Sequence, residues 1–218
     1  MQYNTKIGKI KPYVCGGRSS MAEHQIVDLR VGGSIPLGLP FNMSTISFRA
    51  PLFKIGSRVI LSLPKSASEK LPSRGMVMVE GKLNGSPFQA ALEPDGKGSH
   101  WFEVDKTMRG VAKSDIGDTV KLEIEPSKKW PEPKIPEDLR KALLADPKAQ
   151  TSWMDITPMA RWDWIRWIGA TRNPQTRKRR IEVTFSKFKA GKRRPCCFNR
   201  TECTVPDVSR SGILLAPG

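Results

Sequence analysis

Residues 81–104, GKLNGSPFQAALEPDGKGSHWFEV, decide the fold, because two turn signals stand between strand-length segments. Asn84-Gly85 is the strongest two-residue hairpin signal, since both central positions of a type I′ turn need positive φ, which Asn tolerates and Gly adopts freely. It joins RGMVMVEGKL, which places Met76, Met78 and Glu80 on one face and Val77 and Val79 on the other, to SPFQAALEP. Asp95-Gly96 with Gly98 makes the next turn, ahead of SHWFEV. Upstream, STISFRAPLF and SRVILSLP alternate or run apolar over strand lengths, parted by Gly56. Downstream, a short helix near 105–113 leads through Gly117-Asp118 to TVKLEIEP, whose Val120, Leu122 and Ile124 point one way. Short antiparallel strands joined by tight turns are expected to close into a small barrel over residues 43–126, with no other helix before residue 100.

Beyond the barrel the punctuation changes. PSKKWPEPKIP holds four prolines in eleven residues, so 127–136 reads as an extended linker, with Trp130 expected to pin it to the barrel. Asp146-Pro147, Thr157-Pro158 and Asn173-Pro174 each set an N-cap residue before a proline at the first helical position. They open helices read at about 147–154, 158–170 and 174–190, and a further helix is read at about 137–145. Leu139, Leu143, Leu144, Trp153, Trp162 and Ile168 supply core positions at helical spacing, joined by Ile165, Ile181, Phe185 and Phe188. The fold class is α+β: a small antiparallel β-barrel followed by a helical C-terminal segment at 137–194, then a cysteine-containing tail, 195–218.

The net charge of +16 is uneven. Residues 1–42 carry five basic and two acidic side chains, residues 43–160 carry 18 and 15, and residues 161–218 carry 14 and 4. The last quarter is the cation. Hydrophobic content of 38% with 27% charged residues is that of a folded chain, and no apolar run reaches the roughly 20 residues that cross a bilayer. Without a signal-peptide pattern or a disulfide framework, a reducing, cytoplasmic setting is expected.

Residues 16–40, GGRSSMAEHQIVDLRVGGSIPLGLP, have neither helical nor strand periodicity and fit a different origin, a transfer RNA gene read as protein. Gly33-Ser34-Ile35-Pro36 can be encoded GGU UCG AUU CC, a T-loop with flanking pairs. The segment from Arg18 to His24 can encode a D-arm, and the segment from His24 to Arg30 an anticodon stem with a GUN anticodon at Val27. The three arms stand in cloverleaf order. On that reading residues 1–42 are a non-native extension without a packed core, and translation properly starts at Met43; the gene's nucleotide sequence decides it.

Two family resemblances follow from these residues. EVDKTMRGVAKSDIGDTVKLEIEP resembles the strand, short helix, glycine-aspartate turn and strand of the double-split barrels, the architecture of AbrB- and MazE-like DNA-binding proteins. Residues 46–126 as a whole resemble the uncharacterised barrel domain that commonly precedes a YdeI/OmpD-associated segment. LRKALLADPKAQTSWMDITPMARWDWIRWIGATRNPQTRKRRIEVTFSKFKAGKR in turn resembles the YdeI/OmpD-associated, or bacteriocin-protection, family almost throughout. The resemblance implies protection of bacteria against peptide antibiotics and association with envelope proteins, without assigning a mechanism to particular residues. After Arg194 the chain departs from the pattern.

Arg166, Arg172, Arg177, Lys178, Arg179, Arg180, Lys187, Lys192, Arg193 and Arg194 are the candidate contacts to an anionic partner. An envelope protein or anionic surface comes first and nucleic acid second. Four consecutive cations at 177–180 sweep most of a helical turn, so several must face solvent or a polyanion. The competing account is a solvated helix whose arginines pair with Asp155, Asp163 and Glu182. Trp162, Trp164 and Trp167 could stack on bases or lie at a lipid interface, against the alternative of core packing. Cys196, Cys197 and Cys203 without a nearby histidine fall short of a four-ligand zinc site, so no metal is expected. His100 is read as structural, with no serine or cysteine presenting an ordered base. No phosphate-cradling glycine loop is present, and neither a catalytic centre nor a cofactor is expected.

Overall fold

A computed structural model describes residues 45–196 and 198–217, which fall within one compact unit, Phe41–Gly218. The expectations for residues 1–42, for Met43 and for Cys197 lie outside the described residues.

Six strands close the barrel: β1 (Ile46–Ile55), β2 (Arg58–Ser62), β3 (Val77–Leu83), β4 (Ser86–Pro94), β5 (His100–Glu103) and β6 (Thr119–Pro126). Neighbours run β1-β2-β5-β4-β3-β6 and back to β1, every pair antiparallel. The hairpin turn sets the register. Asn84 and Gly85 take φ of 47° and 85°, and Leu83 faces Ser86 across the turn. Leu122 pairs with Phe48 on one side and Leu83 on the other, which turns one face of β6 fully inward. Leu52, Leu61, Val79, Leu92, Val120 and Leu122 are at most 1% exposed and share one cluster, each such side chain contributing roughly 1.5–3 kcal/mol by burial. Met78 points away from Val77 and Val79 yet is also buried, so the outer face of β3 is covered.

The expected short helix is α2 (Lys106–Val111), and a one-turn α1 (Lys65–Ser68) corrects the expectation of no other helix before residue 100. Four residues are too few to show a period, and α1 has no side-chain cap to announce it. Asp105 caps α2 by accepting from the Met108 amide at 2.8 Å.

Helix α3 (Glu137–Ala145) follows Pro136 without a side-chain cap, and α4 (Pro147–Asp155), α5 (Pro158–Gly169) and α6 (Pro174–Lys189) start where the cap signals put them. Asp146 and Thr157 accept from the amides three residues on, and Asn173 accepts from Gln175 and Thr176 at 2.9 and 3.2 Å. Asn173→Ala is expected to remove about 1 kcal/mol of stability in urea denaturation; no measurable loss would mean that tertiary packing alone holds the helix start. Leu139, Trp153, Trp164, Ile168 and Phe188 form the helical core. Leu144, expected there, is 58% exposed: a neighbouring helical position points about 100° away from Leu143. The Trp130 ring packs edge-on against Trp162 of α5 at 6.2 Å. The linker is tied to the barrel by Gln89, whose side-chain amide donates to the Lys129 carbonyl, and by the Ser127 amide, which donates to the Met78 carbonyl at 2.8 Å.

The cysteine-containing tail is structured. Strands β7 (Ser209–Arg210) and β8 (Ile213–Leu214) pair with each other, and Cys203, Val208 and Leu214 bury against Ile55, Ile60 and Trp101 on the outer barrel wall. The Leu214 amide donates to the Asp95 carbonyl at 2.8 Å. At Gly96 the tail passes so close that a Cβ would stand 2.0 Å from the Gly212 carbonyl oxygen, so only glycine fits.

Candidate functional site

The cationic run resolves mostly into internal pairs. Arg177 forks onto Asp138 through Nε at 2.6 Å and Nη2 at 3.0 Å, fixing α6 to α3. Arg193 reaches Asp155, Arg194 reaches Asp163, and Arg172 approaches Asp207 at 3.7 Å. Arg180 donates to the Trp167 carbonyl at 2.7 Å and stacks over its ring; burial lowers its pKa from the ordinary arginine value. Of the ten candidates, Lys178, Arg179, Arg180, Lys187 and Lys192 have no ion pair among the described residues, and Arg180 is held by Trp167 instead. Lys178, Arg179 and Lys189 share the exposed face of α6 with Glu182 alone among acids, and Lys192 follows just after the helix.

Arg166 is a correction. Its side chain is 4% exposed, with Nε 2.5 Å from Glu93 Oε2 on β4 and the two terminal nitrogens donating to the carbonyls of Arg200 and Glu202. The guanidinium also lies 5.1 Å over Phe198. It is an internal strut joining α5, barrel and tail, out of reach of a partner. Burial pushes the Glu93 carboxyl up, opposed by the charge of Arg166. Trp164 is corrected likewise: 1% exposed, it packs edge-on to Trp167 and Phe188 and donates to the Arg193 carbonyl. Trp167 is half-buried under Arg180, and Trp162, also half-buried, donates to the Pro131 carbonyl. All three tryptophans are engaged internally.

A cleft of about 990 Å³ opens where barrel, linker, α5 and tail meet. Met76, Met78, Trp130 and Met159 give it an apolar lining; Arg74, Lys128, Arg194 and Arg200 bring four cations, against a single acid, Asp163. Asp163 is 4% exposed, and its Oδ2 lies 3.1 Å from Arg194 Nε and 3.4 Å from Arg200 Nη2 without making an aligned hydrogen bond. Desolvation raises its pKa against the pull of those arginines. Sequence reasoning named Arg194 and missed the rest, because the cleft draws on segments more than 120 positions apart. The linear hint was the pair of methionines at 76 and 78, on the face of a strand segment opposite Val77 and Val79.

His100 is fully buried, and it has a serine that sequence reading did not foresee. Ser68 Oγ lies 2.7 Å from Nδ1, and Nε2 lies 2.8 Å from the Gly75 carbonyl. A carbonyl only accepts, so Nε2 carries the proton and Nδ1 accepts from the Ser68 hydroxyl. Serine and histidine are at dyad distance, yet Ser68 is 2% exposed and neither residue lines the cleft. Burial lowers the His100 pKa, keeping the ring neutral. No group of three or more metal-ligating side chains comes together among the described residues, and Cys203, whose thiol burial pushes up, packs in the tail core. Among the same residues, no helix is long and apolar enough to cross a membrane.

The architecture is thus that of an α+β protein whose closed antiparallel barrel carries a basic helical segment behind it. Residues 48–124 match a domain of unknown function, DUF1905, and residues 132–191 match the family described as Bacteriocin-protection, YdeI or OmpD-Associated. The chain thus carries a DUF1905 domain followed by a segment of the YdeI/OmpD-associated family. A search of curated proteins returns no match. The tail after residue 191, which supplies Arg194 and Arg200 to the cleft, lies outside both matched segments.

Proposed function

We propose that the protein is a non-catalytic binding protein of the cytoplasm that serves in bacterial protection against bacteriocins, its cationic helical end engaging an anionic or envelope-associated partner. The observation that carries this reading is the set of cations left over after internal pairing. Lys178 and Arg179 are exposed on a helix whose opposite face is anchored by Ile181, Thr184 and Phe188, and Lys192 is exposed just beyond its end, so the surplus sits on a rigid surface. A local excess of one sign speeds encounter with anions and is screened by salt within roughly 8–10 Å at physiological ionic strength. The family description supplies the biological direction. The non-catalytic part rests on Ser68 and His100 being closed off from solvent.

The test is the triple variant Lys178→Gln, Arg179→Gln, Lys192→Gln, which leaves the paired arginines in place. Phosphatidylglycerol vesicles, duplex DNA and RNA are immobilised, and retention is measured from 50 to 300 mM salt. Cells carrying each form are challenged with a bacteriocin panel. The expected result is loss of about tenfold in retention on vesicles and loss of protection with the variant. Stronger, steeply salt-dependent retention on nucleic acid would move the assignment there. Unchanged retention and protection would overturn the reading.

A further inference from the structure

We propose that the cleft between barrel and helices is a binding site for an amphipathic organic anion, an acid with an extended apolar body. Its volume, about 990 Å³, is at the upper end of small-ligand sites, which are mostly apolar with a few polar groups that fix orientation. The two parts of such a ligand have separate partners here. Met76 and Met159 with Trp130 offer an apolar surface backed by the buried Met78, and methionine, unbranched and polarisable, accommodates chains of varied shape. At one side stand Arg194 and Arg200, two guanidinium groups for one carboxylate.

Asp163 uses one nitrogen of each arginine, Nε of Arg194 and Nη2 of Arg200, and its own Oδ2 makes no aligned hydrogen bond although the residue is 4% exposed. No other hydrogen bond or ion pair engages the Arg194 and Arg200 guanidinium groups among the described residues, so both forks remain open to an incoming acid. Arg74 and Lys128 add charge of the same sign, which makes the lining net cationic around one buried acid. Asp163 holds the two arginines in position, and the ligand's carboxylate or phosphate completes their shell. The site is separate from the exposed face of α6.

Isothermal titration of the full chain with hexanoate, octanoate, decanoate and decanol tests this. Affinity is expected to rise about three- to fourfold per methylene along the acids, with decanol at least about tenfold weaker than decanoate. Arg194→Gln with Arg200→Gln should bring decanoate down to the decanol level while decanol binding stays. Met159→Trp, which puts a larger ring into the apolar lining, should weaken both. Circular dichroism and the thermal midpoint confirm that each variant is folded, and an Arg194→Lys, Arg200→Lys pair keeps the charge if the glutamine pair unfolds. Lys178→Gln, Arg179→Gln, Lys192→Gln should leave decanoate binding unchanged, so failure of the helical-surface reading and failure of this one are told apart. Sedimentation with phosphatidylglycerol vesicles, weakened in Met159→Trp, would identify the acid as a lipid headgroup; decanoate binding without sedimentation would identify a free acid, and either sustains the site. Equal affinity for decanol and decanoate, no chain-length dependence, or unchanged binding in Met159→Trp would overturn it.

Discussion

Arg166→Met is expected to remove about 3–5 kcal/mol of stability, because it leaves Glu93 as an uncompensated charge in the interior. Glu93 is largely buried, with 16% of its side chain exposed, and its ion pair with Arg166 is the one charge compensation it has there. The same substitution takes the donors from the carbonyls of Arg200 and Glu202, which tie the tail to α5. Arg166→Lys keeps the charge but not the fork, so an intermediate loss is expected. The double variant Arg166→Met, Glu93→Leu should recover part of the loss, since removing both ions costs less than stranding one.

The pH dependence separates this from a packing defect. Without Arg166, desolvation acts on Glu93 unopposed, and its folded pKa climbs further above the ordinary 4.5. A raised carboxyl pKa means that the folded state binds more protons than the unfolded one between the two values, so stability falls as pH rises through that window and is regained as pH falls. The gap between wild type and Arg166→Met, measured by urea denaturation, should therefore narrow on acidification. A loss under about 1 kcal/mol, or a gap independent of pH, would show that the pair is not what joins helix to barrel.

His100→Ala should remove about 2–4 kcal/mol, the sum of a cavity and of buried polar groups left without partners. The ring ties Ser68 of α1 to the Gly75 carbonyl, and the His100 carbonyl accepts from the Leu63 amide at 2.8 Å, so one residue closes the segment between β2 and β3 onto β5. Because burial depresses its pKa, the folded state holds the ring neutral while the unfolded state takes a proton near pH 6.5. The stability it contributes is complete above that value and is lost as pH falls from 6.5 through the depressed folded pKa. His100→Gln, which retains a donor and an acceptor, should lose less and remove the pH slope specific to His100. Hydrolytic turnover abolished by His100→Gln in a folded protein would overturn the non-catalytic reading.

The site was less legible than the fold, and the split follows the range of the interactions. Arg177 and Arg166 look alike in a sequence as members of one basic run. One pairs at the surface with Asp138 and the other is sealed against Glu93, 73 positions away on a barrel strand. Nothing near Arg166 marks that difference, and a helical wheel gives a face without saying what lies opposite. Asp163 and Arg200, or Ser68 and His100, likewise become neighbours only when the chain has closed on itself.

What the sequence by itself determined is what short-range chemistry controls. Asn84-Gly85 needs positive φ and so makes its hairpin wherever it stands, and the residues before Pro147, Pro158 and Pro174 cap helices with their own side chains. Period-two and helical apolar spacing then assigned most strands and helices to a face. Only the tertiary structure decided which cations were consumed by internal carboxylates, that the cysteine-containing tail docks on the barrel at Gly96, and that methionines and arginines from distant segments share a cleft. Those outcomes depend on loop closure and on the desolvation of charges brought together over long chain separations, and neither quantity is carried by any local run of residues.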